Sequence, residues 1–232
     1  MEEVAVVAEA AAVSQEGIAL FQKGDWKNAL EFFLKTRPEN TDEILESAYY
    51  TGLCYAKLKC FEEAQPYLEK YIANAQNSVR VYQCRMTLAY AYIMTKKARK
   101  AEYELTVLIN SGFESAQLYA TMAYAAWSRQ SYGDAIASYE RALSIDSQNL
   151  TALNGLGFIL ADTDKDVKRG LRFCKRAVEK KPGNPVYLDS LGWAYYKNGK
   201  RIEAIKFLLK AREKDPDNPF IREHLKMVEA AK

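Results

Sequence analysis

Residues 188–219 read LDSLGWAYYKNGKRIEAIKFLLKAREKDPDNP, with an apolar stripe at helical spacing on either side of KNGKR. The first stripe follows the i, i+3, i+4, i+7 pattern of one helix face: Leu188, Leu191, Gly192 and Tyr195. The second contains Ala204, Leu208 and Ala211. Gly199 suits a turn between them, and Pro216 ends the second helix because proline cannot continue it. The stretch therefore predicts a helix, a tight turn and a second helix.

The same arrangement recurs along the chain. Small residues lie inside successive apolar stripes at intervals of 35, 37, 34, 34 and 35 residues: Gly17, Gly52, Ala89, Ala123, Gly157 and Gly192. A second set follows them: Ala29, Ala64, Ala101, Ala135, Gly170 and Ala204. A small residue at a helix crossing lets two axes approach closely. We therefore predict six helical hairpins, near 10–43, 45–78, 82–115, 116–149, 150–184 and 185–218, and a capping helix at 219–232.

These repeats resemble the tetratricopeptide repeat (TPR) family, whose pattern is a roughly 34-residue hairpin with W-x-x-L-G-x-x-Y, then A, F and A, then P. Besides the last repeat, three stretches match it: LNGLGFIL (153–160), YGDAIASYERALSID (132–146) and GDWKNALEFF (24–33). The resemblance implies an all-α fold, a right-handed α-solenoid of six TPR-like hairpins plus the C-terminal capping helix, in a single superhelical domain over 1–232. Two departures stand out. The third repeat lacks the turn glycine and the closing proline, and the fifth has Gly170 where the family prefers alanine.

The two ends of the array are expected to differ from its middle. In PFIREHLKMVEAAK (219–232), helical spacing turns three apolar residues inward: Ile221, Leu225 and Val228. The charged residues between them face solvent, which is typical of a helix that caps a repeat array. At the other end, EEVAVVAEAAAV (2–13) is expected to lengthen the first helix.

A second stripe on each first helix is the candidate partner-binding surface, which the resemblance places on the concave face of the array. Its members are Tyr49, Leu53, Met86, Tyr90, Tyr124, Trp127, Asn154, Phe158, Asp189, Trp193 and Tyr196. The inner Lys and Asn set with which some TPR domains clamp a terminal carboxylate is absent. Aromatic side chains give a large contact area with few rotors to immobilise. The stripe therefore predicts a groove for an apolar or aromatic-anchored peptide or helix of another protein. The same side chains could instead be core between neighbouring repeats.

The sequence favours a non-catalytic scaffold or adaptor. It contains no phosphate-binding glycine loop and no H-E-x-x-H motif. The one histidine, His224, leaves no plausible nucleophile–base pair. No metal or other cofactor is expected, because the four cysteines, Cys54, Cys60, Cys84 and Cys174, lack paired spacing. The alternating Asp162, Asp164 and Asp166 are interpreted as an acidic turn.

The charge distribution leaves alternatives open. Residues 163–232 contain 18 Lys and Arg against 10 Asp and Glu, whereas the rest of the chain contains 15 against 20. The basic C-terminal third could bind an anionic surface or a nucleic acid, although the regular polar code of helical RNA readers is missing. The chain could also be a self-associating subunit or the soluble part of a membrane-attached or periplasmic assembly factor. No secretory signal or membrane-spanning stretch is visible. We therefore expect a cytoplasmic location, or an extracytoplasmic one if a signal or anchor has been removed.

Overall fold

The computed structural model of the protein describes residues 15–231, and every regular element in that range is an α-helix. The helices are α1 (15–22), α2 (Trp26–Lys35), α3 (Thr41–Lys57), α4 (Phe61–Asn74), α5 (Ser78–Met94), α6 (Ala98–Asn110), α7 (Ala116–Ser128), α8 (Tyr132–Ile145), α9 (Leu150–Asp162), α10 (Val167–Lys180), α11 (Pro185–Lys197), α12 (Arg201–Lys214) and α13 (Pro219–Ala230). Successive helices pack in pairs, so the predicted six hairpins and capping helix are confirmed over the described residues.

The chain divides between Phe113 and Glu114 into two compact units. Unit 1 contains α1 to α6, and unit 2 contains α7 to α13. The assignment of 1–232 to a single superhelical domain stays a prediction. The segment 2–13, expected to lengthen the first helix, lies outside the described residues.

Small residues allow the two helices of each hairpin to cross closely. A β-carbon at Gly192 would lie 2.7 Å from Cγ of Leu208 on the partner helix. The α9/α10 crossing is tighter, because a β-carbon at Gly170 would lie 2.6 Å from the carbonyl oxygen of Gly157 and 2.9 Å from the backbone nitrogen of Ala161. This backbone-to-backbone contact explains why the fifth hairpin has glycine where the family prefers alanine.

Each hairpin turn contains one residue in the left-handed region of backbone space, with φ between 56° and 82°: Gly24, Lys59, Lys96, Gln130, Asp164 and Gly199. The intervals between them are 35, 37, 34, 34 and 35 residues, the same as those between the crossing residues. For a residue other than glycine this conformation costs about 1–2 kcal/mol. The third hairpin therefore makes the same turn as the others with Lys96 in place of the missing glycine, and its packing offsets the cost.

Asparagine and proline start the helices where the sequence predicted. The Asn149 Oδ1 atom accepts a hydrogen bond from the Ala152 backbone N–H at 2.9 Å. Asn184 and Asn218 cap α11 and α13 in the same way, and a proline follows each of them.

The capping helix α13 buries its three apolar residues, as predicted: Ile221, Leu225 and Val228. Arg201 of α12 satisfies two of its C-terminal carbonyl groups. The guanidinium donates to the carbonyl oxygen of Val228 at 2.9 Å and to that of Glu229 at 2.7 Å. Both ends of α13 are therefore hydrogen-bonded by side chains.

We expect Gly170→Ala to lower the free energy of unfolding by about 1–3 kcal/mol, because the new methyl group meets backbone atoms that cannot turn aside. Chemical denaturation followed by circular dichroism measures the change. Gly133→Ala on α8 is the matched control, because a β-carbon there meets nothing within 4 Å. It should be neutral or stabilising. An equal loss in both variants would contradict this account of the crossing.

The cysteines should differ sharply in reactivity. Cys54, Cys84 and Cys174 are fully buried, whereas Cys60 is half-buried at the start of α4. Burial raises the pKa of the Cys54 and Cys84 thiols to about 12 and also raises that of Cys174. Because the thiolate is the nucleophile, we expect one fast-reacting thiol in the folded protein with a disulfide reagent at mildly alkaline pH, and four after denaturation. Cys60→Ser should abolish the fast phase. A second fast thiol in that variant would refute the assignment.

Candidate functional site

The candidate residues of unit 2 lie on neighbouring helices. Helix α9 packs against both α7 and α11, and α11 packs against α13. Equivalent positions on these helices are 34 or 35 residues apart. The stripe residues of one helix therefore fall beside those of the next.

Aromatic side chains join α7 to α9. Tyr124 and Trp127 stack within α7, with ring centroids 5.6 Å apart and ring planes 13° apart. Trp127 then meets Phe158 of α9 edge-on, with centroids 6.2 Å apart. All three side chains are half-buried. They form the first half of a continuous row of rings.

The second half of the row joins α9 to α11 through the capping helix. The imidazole of His224 lies 6.0 Å from the ring of Phe158 and stacks on Trp193, with centroids 4.3 Å apart. Trp193 in turn contacts Tyr196 at 5.2 Å. We call the complete set the aromatic row: Tyr124, Trp127, Phe158, His224, Trp193 and Tyr196.

His224 is a member of the site that sequence reasoning missed. Its Nδ1 atom lies 3.0 Å from each carboxylate oxygen of Asp189, and both side chains are largely buried. The signal was present, because His224 follows Asp189 by 35 residues, as Asp189 follows Asn154. Extending the repeat spacing into the capping helix would have placed it beside Asp189. The pair ties α13 to α11.

Trp193 is a buried member of the aromatic row, so its ring is not free to anchor a partner. It is only 6% exposed, and its Nε1–H donates to Asp162 Oδ1 at 2.9 Å. The other two aspartates of the acidic turn have separate partners: Asp164 accepts from Lys197 at 2.6 Å, and Asp166 caps α10. Among residues 15–231, no three His, Cys, Asp or Glu side chains lie together as a metal site.

Exposure separates the seven candidate residues of unit 2. The half-buried ones are Tyr124, Trp127, Phe158 and Tyr196. The buried ones are Asn154, Asp189 and Trp193. Solvent therefore reaches the side chains of the first group but hardly those of the second.

Asn154 is exceptional among the buried residues. Within the described part of the chain, its Oδ1 atom is the single buried side-chain nitrogen or oxygen without a hydrogen-bond partner. A buried acceptor left unpaired costs about 1–3 kcal/mol. The side chain is therefore retained at an energetic disadvantage to the free protein.

The four candidates in unit 1 are arranged differently. The Tyr49 hydroxyl of α3 donates to Gln83 Oε1 of α5 at 2.7 Å, and burial raises its pKa to about 12. Leu53 is buried too, and Met86 is half-buried. Tyr90 is 44% exposed, with its ring 5.6 Å from that of Phe61. Tyr49 and Leu53 thus belong to the core of unit 1, and Tyr90 lies at its surface.

In unit 2, the first helix of each hairpin carries few charged side chains and the second helix carries many. Helices α7, α9 and α11 carry three charged side chains, Asp162, Asp189 and Lys197. Helices α10 and α12 carry eleven Lys and Arg against three Glu. The basic character of the C-terminal third therefore lies mainly on the second helices, away from the aromatic row. Binding of an anionic partner to them stays a prediction.

Models of known protein families match two parts of unit 2. A model described as "TPR repeat" matches residues 124–164, and one described as "Tetratricopeptide repeat" matches residues 185–218, which contain α11 and α12. The chain therefore contains tetratricopeptide repeats. A curated relative, TPR repeat-containing protein PA4667 of Pseudomonas aeruginosa, is 34% identical over 73 residues. That match spans 32% of this chain and only 12% of the relative.

Solved structures support the same fold. A tetratricopeptide repeat protein from Parabacteroides merdae superposes with a TM-score of 0.71 at 13% identity, covering 95% of this chain and 84% of the other. YrrB, described as a TPR protein with an unusual peptide-binding site, gives 0.53 at 17% identity, covering 78% of this chain and 91% of YrrB. At these identities the similarity shows the fold alone, an α-solenoid of helical hairpins. None of the described helices has the length and apolarity needed to cross a bilayer.

The Asp189–His224 pair should show strong energetic coupling. We expect His224→Phe to destabilise the fold, because it keeps a ring on Trp193 but leaves a buried carboxylate without its donor. Asp189→Asn combined with it should cost less than the two single changes summed, with a coupling free energy of about 0.5–3 kcal/mol. Denaturation of the four proteins in the cycle measures this. Additive losses would show that the pair does not hold α13.

Proposed function

We propose that this tetratricopeptide repeat protein is a scaffold or adaptor that binds a segment of another protein along the aromatic row. TPR repeats are protein-interaction modules, and YrrB, which shares the fold, is described as having a peptide-binding site. The observation that carries the proposal is the row of rings on neighbouring helices of unit 2. Its half-buried members Tyr124, Trp127, Phe158 and Tyr196 are connected through His224 and the buried Trp193.

The arrangement of these rings suits binding. Each offers a large apolar face and has only two side-chain torsions, so little entropy is lost on contact. Neighbouring rings already limit those torsions: Trp127 is stacked on Tyr124, and Tyr196 leans on the buried Trp193. Preorganisation of this kind lowers the cost of association.

The partner segment would be an extended peptide or an amphipathic helix with apolar or aromatic anchors. Rings on three neighbouring first helices, α7, α9 and α11, offer successive contacts to such a segment. The contribution of this chain is recognition and positioning of the partner, with no chemical step.

Selection from a random peptide library displayed on phage, followed by calorimetric titration of the enriched peptides, tests the proposal. We expect enriched peptides to carry apolar or aromatic anchors. Trp127→Ala and Tyr196→Ala should each weaken their binding about tenfold or more, as truncation of an aromatic hot spot does.

Ile202→Ala is the matched control, because Ile202 on α12 is 83% exposed and lies outside the row. It should leave affinity unchanged, and circular dichroism should show all three variants folded. Enriched peptides that bind the Trp127 and Tyr196 variants as tightly as the parent protein would place the binding surface elsewhere.

A further inference from the structure

The second helices of the last two hairpins, α10 and α12, share an exposed stripe that is rich in cations. On α10 the stripe follows the i, i+4, i+7 spacing of one helix face: Lys168, Arg172 and Lys175. On α12 the equivalent positions, 34 residues further on, are taken by Ile202, Lys206 and Leu209. All six side chains are exposed to solvent, and we call them the outer stripe.

Ring contacts connect the two halves of the outer stripe. Lys175 Nζ of α10 lies 5.4 Å from the centroid of the Tyr195 ring of α11. That ring stacks on Phe207 of α12, with centroids 5.5 Å apart and ring planes 12° apart. Lys210 of α12 in turn lies over the Phe207 ring at 5.6 Å. The outer faces of α10 and α12 therefore form one continuous surface with cations on both helices.

The cations of the outer stripe have no anionic partner within the described part of the chain. Other cations of α10 are engaged: Arg169 pairs with Glu140 of α8 at 2.9 Å, and Arg176 donates to a backbone carbonyl oxygen at 2.9 Å. By contrast, no side-chain hydrogen bond or ion pair engages those of the outer stripe. Like charges on neighbouring turns repel one another. Their accumulation is therefore unfavourable to the free protein and favourable to binding of an anionic partner.

This concentration of positive charge is specific to α10 and α12. On α8, the equivalent positions lie 35 residues before those of α10 and are taken by Gly133, Ala137 and Glu140. An exposed helix face in this array thus does not require a run of cations to remain in contact with water. The outer stripe carries more positive charge than its structural role demands, which indicates a binding surface.

Exposed apolar side chains lie among these cations. Ile202 is 83% exposed, the highest value for a large apolar side chain in the described residues, and Leu209 is 37% exposed. Both share a helix face with Lys206. A soluble polyanion such as a nucleic acid is attracted by the cations but has no apolar region that receives Ile202. A bilayer with anionic lipids uses both features, because its headgroups attract cations and its interfacial region accepts apolar side chains.

We propose that the outer stripe is a peripheral binding surface for a lipid bilayer that contains anionic phospholipids. The cations contact the headgroups, while Ile202 and Leu209 enter the boundary between the headgroups and the acyl chains. The outer stripe belongs to α10 and α12, whereas the aromatic row belongs to α7, α9, α11 and α13. The two surfaces are thus built from different helices, and this inference does not depend on the proposed function.

Co-sedimentation of the full chain with lipid vesicles provides the test. One set of vesicles contains phosphatidylcholine alone, and the other contains two parts of phosphatidylcholine to one part of phosphatidylglycerol. At about 0.1 M salt we expect the protein to bind the anionic vesicles and not the neutral ones. Binding should weaken sharply at about 1 M salt, because the Debye length falls from about 10 Å to about 3 Å.

Charge reversal on the outer stripe should remove this binding. Arg172→Glu combined with Lys206→Glu should lower the vesicle partition coefficient about tenfold or more, because each cation near an anionic surface contributes to binding. The matched control is Lys23→Glu combined with Lys70→Glu, which makes the same change in net charge on exposed lysines of unit 1. It should bind nearly as tightly as the parent protein. Glutamine at both outer-stripe positions should give a smaller loss in the same direction, and circular dichroism should show every variant folded.

Ile202→Ala distinguishes a bilayer from a soluble polyanion. It leaves the charge unchanged but shortens the side chain that enters the interface, so vesicle binding should weaken about threefold or more. The peptide affinity measured in the library test should stay unchanged in this variant. Trp127→Ala should show the reverse behaviour, with weakened peptide binding and unaltered vesicle binding.

Two outcomes would overturn the bilayer surface: equal binding to neutral and anionic vesicles, or a charge-reversal variant that binds as tightly as its control. Vesicle binding that Ile202→Ala leaves unchanged would assign the outer stripe to a soluble polyanion and would overturn it as well. None of these outcomes bears on the library selection with Trp127→Ala and Tyr196→Ala, which decides the proposed function separately.

Discussion

The close crossing of two helices within each hairpin is the constraint on which the rest of this structure depends. Glycine or alanine at the crossing brings the backbones together, most tightly where Gly157 faces Gly170. A residue in the left-handed region then reverses the chain at the same distance from each crossing, whether that residue is Gly199 or Lys96. The repeat is thus defined by backbone geometry, which explains how side chains at its other positions vary widely without loss of the fold.

Regular crossings also determine where the surface residues lie. Because neighbouring first helices of unit 2 are related by a shift of 34 or 35 residues, their stripes are aligned and the rings on them come into contact. Phe158 meets Trp127 on one side and His224 on the other for this reason. A repeating core therefore produces a continuous row of aromatic side chains, with buried carboxylates such as Asp189 at its base.

Most of the fold could be predicted because it depends on local patterns. The spacing of Gly157 and Gly192, the Asn-Pro helix starts at Asn184 and Asn218, and the inward residues of α13 are all visible in sequence and all present in the structure. The candidate site was predicted as a stripe. The sequence did not predict which residues of the stripe are buried, since burial depends on contacts with other helices. Trp193, for example, is covered by a ring from the capping helix.

By itself, the sequence determined the helical hairpins, their number, their ends and the aromatic character of one helix face, because each follows from residue spacing within about one repeat. Only the tertiary structure decided that His224 pairs with Asp189, that Trp193 is buried while Trp127 is half-buried, and that Asn154 Oδ1 lacks a partner. The physical reason is that hydrogen bonding and burial between helices depend on which atoms meet across an interface. Residue spacing indicates that two helices are neighbours, but not which of their atoms remain unsatisfied.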